Sequence, residues 1–368
     1  MTSSLPGWLT VVCLVAVSAA IAASARRESA ERGRWLSLGG QLLLLTVALV
    51  TPDGRIAYAA VAAAGGLLAW SARRTSATAA AYLALAALLG IVAAATIGQT
   101  GLSVALAASL LTIALRAGVF PLHAGAAALS EDDSPRQLEQ LAALPVLVFV
   151  HLRFVDHGPM AYDLAPPIVW IGGFSTLLFA LVALAQRDLR RLYVASTLMH
   201  GGMLFSAVGA AGRGHYAAAL LVVVTMSLAL AGFSAMLAGF EARVGSGRVP
   251  DFVGRARAFP RLAAALAFFG GAAVGLPGTA GFVADDLLLH ALWEESVWTA
   301  VTMIVASALL AVATLATFAR VFFGPPRRHL APDLAAGERR IALLLLFMLL
   351  SLGFFPALLV SPVNALLQ

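Results

Sequence analysis

Two adjacent carboxylates, Asp285 and Asp286, follow a glycine- and proline-rich stretch inside a long apolar segment. Pro277, Gly278 and Gly281 must interrupt a helix there, and a broken membrane helix is tolerated only where it is buried in protein or lines a wet cavity. An acid at membrane depth is costly and marks a functional site by default. The sequence therefore predicts an ion or proton site at this break, as in transporters.

A second break is predicted where Gly118 and Pro121 interrupt an apolar run between Arg116 and His123. The two broken segments are five segments apart along the chain, which is typical of two structurally repeated halves. Arg116 either acts beside the break or only pairs with an acid such as Glu139, and both interpretations stay open. His123 follows the proline, where helix capping and proton relay are equally consistent with the pattern.

His200, in the eighth apolar segment, has a side chain that titrates near neutral pH and suits a proton relay. A histidine satisfied by a backbone carbonyl is the competing interpretation. Asp286 and His290 are four residues apart and are predicted on one helical face, while Asp285 is free to face the break. The alternative is that this acidic run only marks a helix end near the outer surface.

The positive charges are all arginine: the chain has 24 arginines and no lysine. Arginine does not deprotonate in proteins, whereas a buried lysine shifts its pKa readily. Any proton relay in this chain is therefore expected to use histidine, aspartate, glutamate, tyrosine or water.

Composition indicates a membrane protein. The 368 residues are 61% hydrophobic and 11% charged, against about 25% charged in soluble domains. The predicted fold class is an all-α polytopic membrane protein with about twelve transmembrane helices of about 20 residues each. The apolar segments fall at residues 8–25, 36–51, 56–72, 77–97, 102–123, 140–155, 166–185, 192–211, 216–240, 260–293, 297–320 and 341–362.

Arginine placement predicts the orientation. Twenty arginines lie in one set of alternate loops, and only Arg55, Arg153 and Arg213 lie in the other. The positive-inside rule assigns the first set to the cytoplasm, so both termini are expected outside, on the periplasmic face of the inner (plasma) membrane. In this frame His151, Arg153 and Asp156 end the sixth segment and are interpreted as an interfacial ion pair.

Several classes of site are absent from the sequence. The single cysteine, Cys13, gives neither a disulfide framework nor a metal–cysteine cluster. No dinucleotide fingerprint, phosphate loop or Cys-x-x-Cys pattern occurs, so no cofactor and no catalytic cofactor site are predicted. The net charge of +6 comes from loop arginines and does not indicate nucleic acid binding.

Five stretches, in order, resemble one known family: the antiporter-like, proton-conducting membrane subunits of respiratory complex I, Mrp-type sodium/proton antiporters and membrane-bound hydrogenases. Arg116 to His123 resembles the family's broken helix, in which a lysine precedes Pro-Phe-His. Gly275 to Asp285 resembles its Gly-[LM]-Pro-Gly-Thr-x-x-Phe-x-x-Glu break, with Asp285 at the acid position. The other three stretches are residues 134–153, 186–197 and 317–324.

The resemblance covers about residues 105–325 and implies two five-helix repeats, each with a discontinuous helix. It divides the chain into N-terminal transmembrane helices at 1–100, fewer than the family usually has, an antiporter-like core at 101–325 and a C-terminal transmembrane helix at 326–368. It also implies partner subunits in a hetero-oligomeric complex within the lipid bilayer.

The departures from the family pattern concern its charged residues. Arg116 stands where the family has the lysine of its broken helix, and Pro145 falls where the family has the lysine of the next span. The family's early glutamate has no counterpart in this chain. The second half keeps His200 and Asp285. The expected path is therefore short, from His200 to Asp285 or Asp286, with Arg116 as an electrostatic gate.

Three functions follow from this resemblance. The leading expectation is a subunit that translocates protons, with or without Na⁺, in a multi-subunit energy-coupling complex. The second is the membrane subunit of a proton-gradient-driven inorganic carbon (CO₂/bicarbonate) uptake complex, with the basic stretches 241–261 and 320–340 docking a soluble zinc protein. The third is a structural spacer that does not conduct.

Overall fold

The computed structural model describes residues 32–98, 102–131, 136–155, 158–244, 254–325, 333–355 and 357; the first predicted span and Cys13 lie outside them. These residues form fourteen helices and no strand: α1 (Arg32–Val50), α2 (Gly54–Ala72), α3 (Ala77–Thr96), α4 (Leu102–Ala117), α5 (Ala124–Glu131), α6 (Arg136–Phe154), α7 (Pro159–Leu184), α8 (Leu189–Ala211), α9 (Tyr216–Val244), α10 (Arg255–Ala258), α11 (Pro260–Ala273), α12 (Ala280–Glu295), α13 (Val297–Phe322) and α14 (Ala336–Phe354).

Within the described residues, each predicted apolar segment from residue 36 onward contains a helix. Segment 260–293 is divided into α11 and α12, and in segment 102–123 the helix α4 ends at Ala117, with α5 beginning at Ala124 just past the predicted segment. The glycines and prolines predict both interruptions. Several boundaries differ by a few residues, and the largest difference is at α7, which begins at Pro159, earlier than predicted, and continues through Pro166 and Pro167. Proline is more frequent in membrane helices than in soluble ones, so these residues do not end the helix.

Helices α8 and α9 form the centre of the protein. Residues 192–211 of α8 and 218–237 of α9 are all buried. Among the residues that the structure describes, six helices are long and apolar enough to cross a membrane, namely α2, α3, α7, α8, α9 and α13, and shorter apolar helices add to them. Helices α3, α7 and α13 expose large apolar side chains on their outer faces. Extended apolar surface of this kind marks contact with lipid or with another protein.

Small residues bring the central helices together. A Cβ added at Gly172 of α7 would overlap Ser206 of α8, and one added at Gly202 would lie 2.6 Å from the backbone nitrogen of Thr176. Membrane helices use such residues to let their backbones approach closely. The contact fixes α8 against α7 and so determines where the residues of α8 point.

The ion pairs join loops that the arginine pattern predicts on the same side. Arg243 pairs with Glu338 at 2.7 Å, both on the predicted cytoplasmic side. Arg213 pairs with Glu295 at 3.1 Å on the other side. The sidedness is therefore internally consistent, and which side faces the cytoplasm stays a prediction.

Candidate conduction site at two broken helices

Helices α4 and α11 end in the same backbone motif. Gly118 and Gly275 have φ angles of 80° and 75°, a left-handed conformation that glycine adopts without steric cost. In each case the N–H of the following residue donates to the carbonyl five residues before it, at 3.0 Å. This is the Schellman arrangement for ending a helix. Pro121 and Pro277 follow and cannot continue the helical hydrogen bonding.

The second break is shorter than predicted. It lies between α11 and α12, and Gly278 within it has φ 88°. Gly281, predicted to belong to the break, lies instead in the first turn of α12. A Cβ added there would lie 2.6 Å from the carbonyl oxygen of Ala272. Gly281 therefore lets α12 approach the end of α11 and does not interrupt a helix.

The two aspartates point in different directions. Asp285 is partly buried and faces the break, because a Cβ added at Gly275 would lie 2.5 Å from its Oδ2. The Asp286 carboxylate lies 3.7 Å from Nδ1 of His290, and these side chains are 58% and 73% exposed. The prediction that Asp286 and His290 share a face is confirmed, and that face is an exposed one.

His200 contacts the end of the broken helix α11. Its Nε2 lies 2.6 Å from the carbonyl oxygen of Ala273, the last residue of α11, and its Nδ1 lies 2.7 Å from the carbonyl oxygen of Ser196. A neutral imidazole has one N–H and donates to one of these carbonyls, whereas an imidazolium donates to both. The number of hydrogen bonds that His200 donates, to Ser196 within α8 and to Ala273 at the break, thus depends on one proton.

His200 and Asp285 line the same small cavity, together with Met203, Thr225 and Met226. The volume that the centre of a water molecule can occupy there is about 10 Å³, close to the minimum for one water. The structure therefore brings together two of the predicted residues around a space of that size.

Arg116 lies beside the first break and is 4% exposed. Its Nε and Nη2 donate to Oε1 of Gln140 at 3.1 and 2.8 Å, and Gln140 Nε2 donates back to the Arg116 carbonyl oxygen at 2.8 Å. The alternative partner Glu139 is not used by Arg116 and accepts a bond from Gln41 at 2.9 Å. Gln140 thus holds the guanidinium in one place.

His123 lies among aromatic rings. Its ring centroid is 5.7 Å from that of Phe120 and 5.2 Å from that of Phe179. Its Nδ1 is buried and has no hydrogen-bond partner among the described residues. Within this part of the chain no hydrogen bond or ion pair joins His123 to Arg116 or His200.

Adjacent residues of α8 contact both breaks. A Cβ added at Gly201 would overlap the carbonyl oxygen of Ala117, the last residue of α4. His200 contacts Ala273, the last residue of α11. One buried helix therefore packs against the carbonyl end of each broken helix.

Two polar residues of α6, His151 and Gln140, are buried in a way that the sequence pattern did not predict. His151, predicted at an interface, is fully buried, and its Nδ1 lies 2.8 Å from Oγ of Ser109, which also hydrogen-bonds Tyr58; Asp156 lies outside the described residues. Gln140 was not predicted as a site residue because it stands at the very start of the predicted apolar segment, whereas α6 begins one turn earlier, at Arg136. The polar residues Gln137, Glu139 and Gln140, which lead into the apolar run, were the available signal.

Replacing Gln140 by leucine is expected to lower the free energy of unfolding by about 2–3 kcal/mol, because a buried guanidinium loses its bonds. The double substitution Arg116→Leu with Gln140→Leu is expected to recover part of this loss, since the unpaired charge is removed. Thermal unfolding of the purified variants measures both. Additive losses in the double variant would contradict the pairing.

Residues 82–311, more than half of the chain, match the family model described as NADH:quinone oxidoreductase/Mrp antiporter, TM. NADH-quinone oxidoreductase subunit 13 of Thermus thermophilus is 30% identical over 252 residues, which cover 67% of this chain and 53% of that protein. Subunit N of Halorhodospira halophila is 27% identical over 274 residues, covering 70% and 56%. The chain spans about half the length of these curated relatives.

Solved structures share the fold. A chain of respiratory complex I from Thermus thermophilus with bound NADH aligns with a TM-score of 0.74 and 22% identity over 98% of this chain and 83% of that one. A chain of the Mrp complex from Dietzia sp. DQ12-45-1b aligns with a TM-score of 0.76 and 16% identity over 98% and 81%. The predicted all-α polytopic fold is confirmed, and this multi-pass membrane chain belongs to the NADH:quinone oxidoreductase/Mrp antiporter family.

Proposed function

We propose that this chain is a proton-translocating subunit of a multi-subunit membrane complex. The observation that carries the proposal is the cavity at the second break, which His200 and Asp285 line together. Imidazole and carboxyl groups both take up and release protons, and water at a helix break is the usual setting of transporter ion sites. Family membership supports the same assignment.

The proton step at this site is an exchange between Asp285 and His200 through one water. A proton that reaches His200 lets both ring nitrogens donate, to Ser196 and to Ala273. When the proton leaves for Asp285, one of these hydrogen bonds is lost. When the proton that leaves is the one on Nε2, the hydrogen bond between α8 and the end of α11 is the one that is lost.

The first break contributes a fixed charge in this proposal. Arg116 keeps its proton, and Gln140 holds its guanidinium by two hydrogen bonds. A positive charge at this depth repels cations and stabilises a negative charge nearby. Arg116 is therefore assigned an electrostatic role, and the proton exchange is assigned to the second half.

The test is proton flux into liposomes that contain the purified complex, driven by a potassium diffusion potential and followed with an internal pH dye. Asp285→Asn is expected to reduce the flux at least about tenfold, because the carboxyl that exchanges the proton is gone. Asp286→Asn removes the same charge one residue away on an exposed face and is the matched control, with flux near wild type.

Equal flux in the two variants would contradict the assignment of Asp285. Wild-type flux no greater than that of protein-free liposomes would instead favour the non-conducting spacer. Replacing Na⁺ by choline distinguishes proton transport alone, which is unaffected, from Na⁺/H⁺ exchange, which is slowed.

The proposed function also requires partner subunits in the same complex. Purification of the complex through a tag on this chain, followed by metal analysis and mass spectrometry, identifies them. Co-purification of subunits that contain iron–sulfur centres, or of quinone, would support a respiratory-type complex. Co-purification of a soluble zinc protein would support inorganic carbon uptake.

A further inference from the structure

An apolar groove lies on the outer surface between α11 and α14. Its volume is about 340 Å³, within the range of pockets that bind organic ligands. Phe268 and Phe269 of α11 and Leu343 and Leu346 of α14 line its apolar part, together with Leu334 and three alanines. The groove is separate from the His200 and Asp285 cavity and takes no part in the proposed proton path.

Both helices present the same pattern to this groove. The lining positions are 261, 264, 265, 268 and 269 on α11 and 339, 342, 343 and 346 on α14, with Leu334 just before α14. The i, i+3, i+4, i+7 spacing common to both helices is one face of a helix, and 269, at i+8, lies on the same face. In each helix the first position is an arginine, Arg261 or Arg339, and the others are apolar. Charge is therefore confined to one end of each lining face.

The two arginines lie at the same end of the groove. Asp333, just before α14, accepts hydrogen bonds from the backbone N–H groups of Arg261 and Leu262 at 2.8 and 3.1 Å. The start of α11 is therefore adjacent to the start of α14. Both starts belong to the arginine-rich side, which the sequence predicts to be cytoplasmic.

Both guanidinium groups are available to a ligand. The side chains of Arg261 and Arg339 are exposed, and no hydrogen bond or ion pair engages either of them within the described residues. Two carboxylates that stand close to Arg339 in the sequence, Asp333 and Glu338, already have other partners. Asp333 caps α11, and Glu338 is held by Arg243 at 2.7 Å.

We propose that this groove binds an anionic phospholipid. The phosphate lies between Arg261 and Arg339, and an acyl chain lies against Phe268 and Leu343. Guanidinium matches the geometry of phosphate oxygens, and basic pockets between membrane helices on the cytoplasmic side bind anionic headgroups. A peptide segment would bring backbone N–H and C=O groups onto the apolar floor, at a cost in unpaired hydrogen bonds.

The test titrates the purified complex with phosphatidylglycerol or phosphatidylcholine of the same acyl chains and follows bound lipid by native mass spectrometry. Phosphatidylglycerol is expected to bind more tightly. The double variant Arg261→Gln with Arg339→Gln is expected to weaken its binding about 30-fold, from about 1 kcal/mol per arginine. Binding of phosphatidylcholine is expected to change little.

The matched control is Arg257→Gln with Arg340→Gln. These exposed arginines carry the same charge near the same end and do not line the groove, so affinity close to wild type is expected. Ala264→Phe fills the groove without changing charge and is expected to reduce binding as well. Equal weakening by the control, or equal affinity for the two lipids, would overturn the proposal. So would a partner subunit that cross-links to Leu343 in a complex without bound lipid.

Discussion

Replacing Gly201 by alanine is expected to lower the free energy of unfolding by about 3 kcal/mol, roughly a hundredfold in the folded fraction. In a helix interior this change normally stabilises by up to about 1 kcal/mol. Here the added Cβ overlaps the carbonyl oxygen of Ala117, a backbone atom that cannot rotate away. Helices α4 and α8 must separate, and the thermal unfolding midpoint of the purified protein measures the loss.

Gly173 supplies the matched control for this substitution. It lies in the middle of α7, and a Cβ added there would meet no atom within 4 Å. Gly173→Ala is expected to be neutral or slightly stabilising. If Gly201→Ala behaved in the same way, the close approach of α8 to the end of α4 would be wrong, and with it the idea that one helix contacts both breaks.

The breaks were predictable from sequence because their causes are local. Gly118 and Gly275 adopt a backbone conformation that other residues avoid, and Pro121 and Pro277 lack the N–H that a helix needs. Helical periodicity was also enough to separate Asp285 from Asp286, since adjacent residues point about 100° apart around a helix. These features depend on no other part of the chain.

The partners of buried groups were not predictable in the same way. Arg116 bonds Gln140, 24 residues away, and His200 contacts Ala273, 73 residues away. Both contacts depend on how helices pack, which the residue types alone do not specify. Gly281 illustrates the same limit, because glycine serves equally in a break and in a close helix contact.

Helix α8 packs against the ends of both broken helices and so connects the two halves of the protein. Gly201 packs on the end of α4, and the next residue back, His200, contacts the end of α11. A rigid helix cannot shift at one of these positions without shifting at the other. In the proposed proton exchange, we expect a change in protonation at His200 to act on the second break directly and on the first through the packing of Gly201.

His200→Gln is expected to leave the unfolding midpoint near wild type and to reduce proton flux about 100-fold. The glutamine amide can donate a hydrogen bond to the Ala273 carbonyl but does not carry a proton at neutral pH. His200→Leu removes the donor as well and is expected to lower the free energy of unfolding by about 1–2 kcal/mol. Flux in liposomes and thermal unfolding, measured on the same preparations, separate the two effects.

His290→Gln is the control for this pair, because His290 is 73% exposed on α12 and does not line the cavity. It is expected to change neither flux nor stability. A His200→Gln variant that conducts like wild type would assign His200 a purely structural contact with Ala273, since only the proton-carrying function has been removed. If His200 both contacts the break and passes a proton, two results are expected together. His200→Gln is stable but loses the proton flux, and His200→Leu is less stable as well.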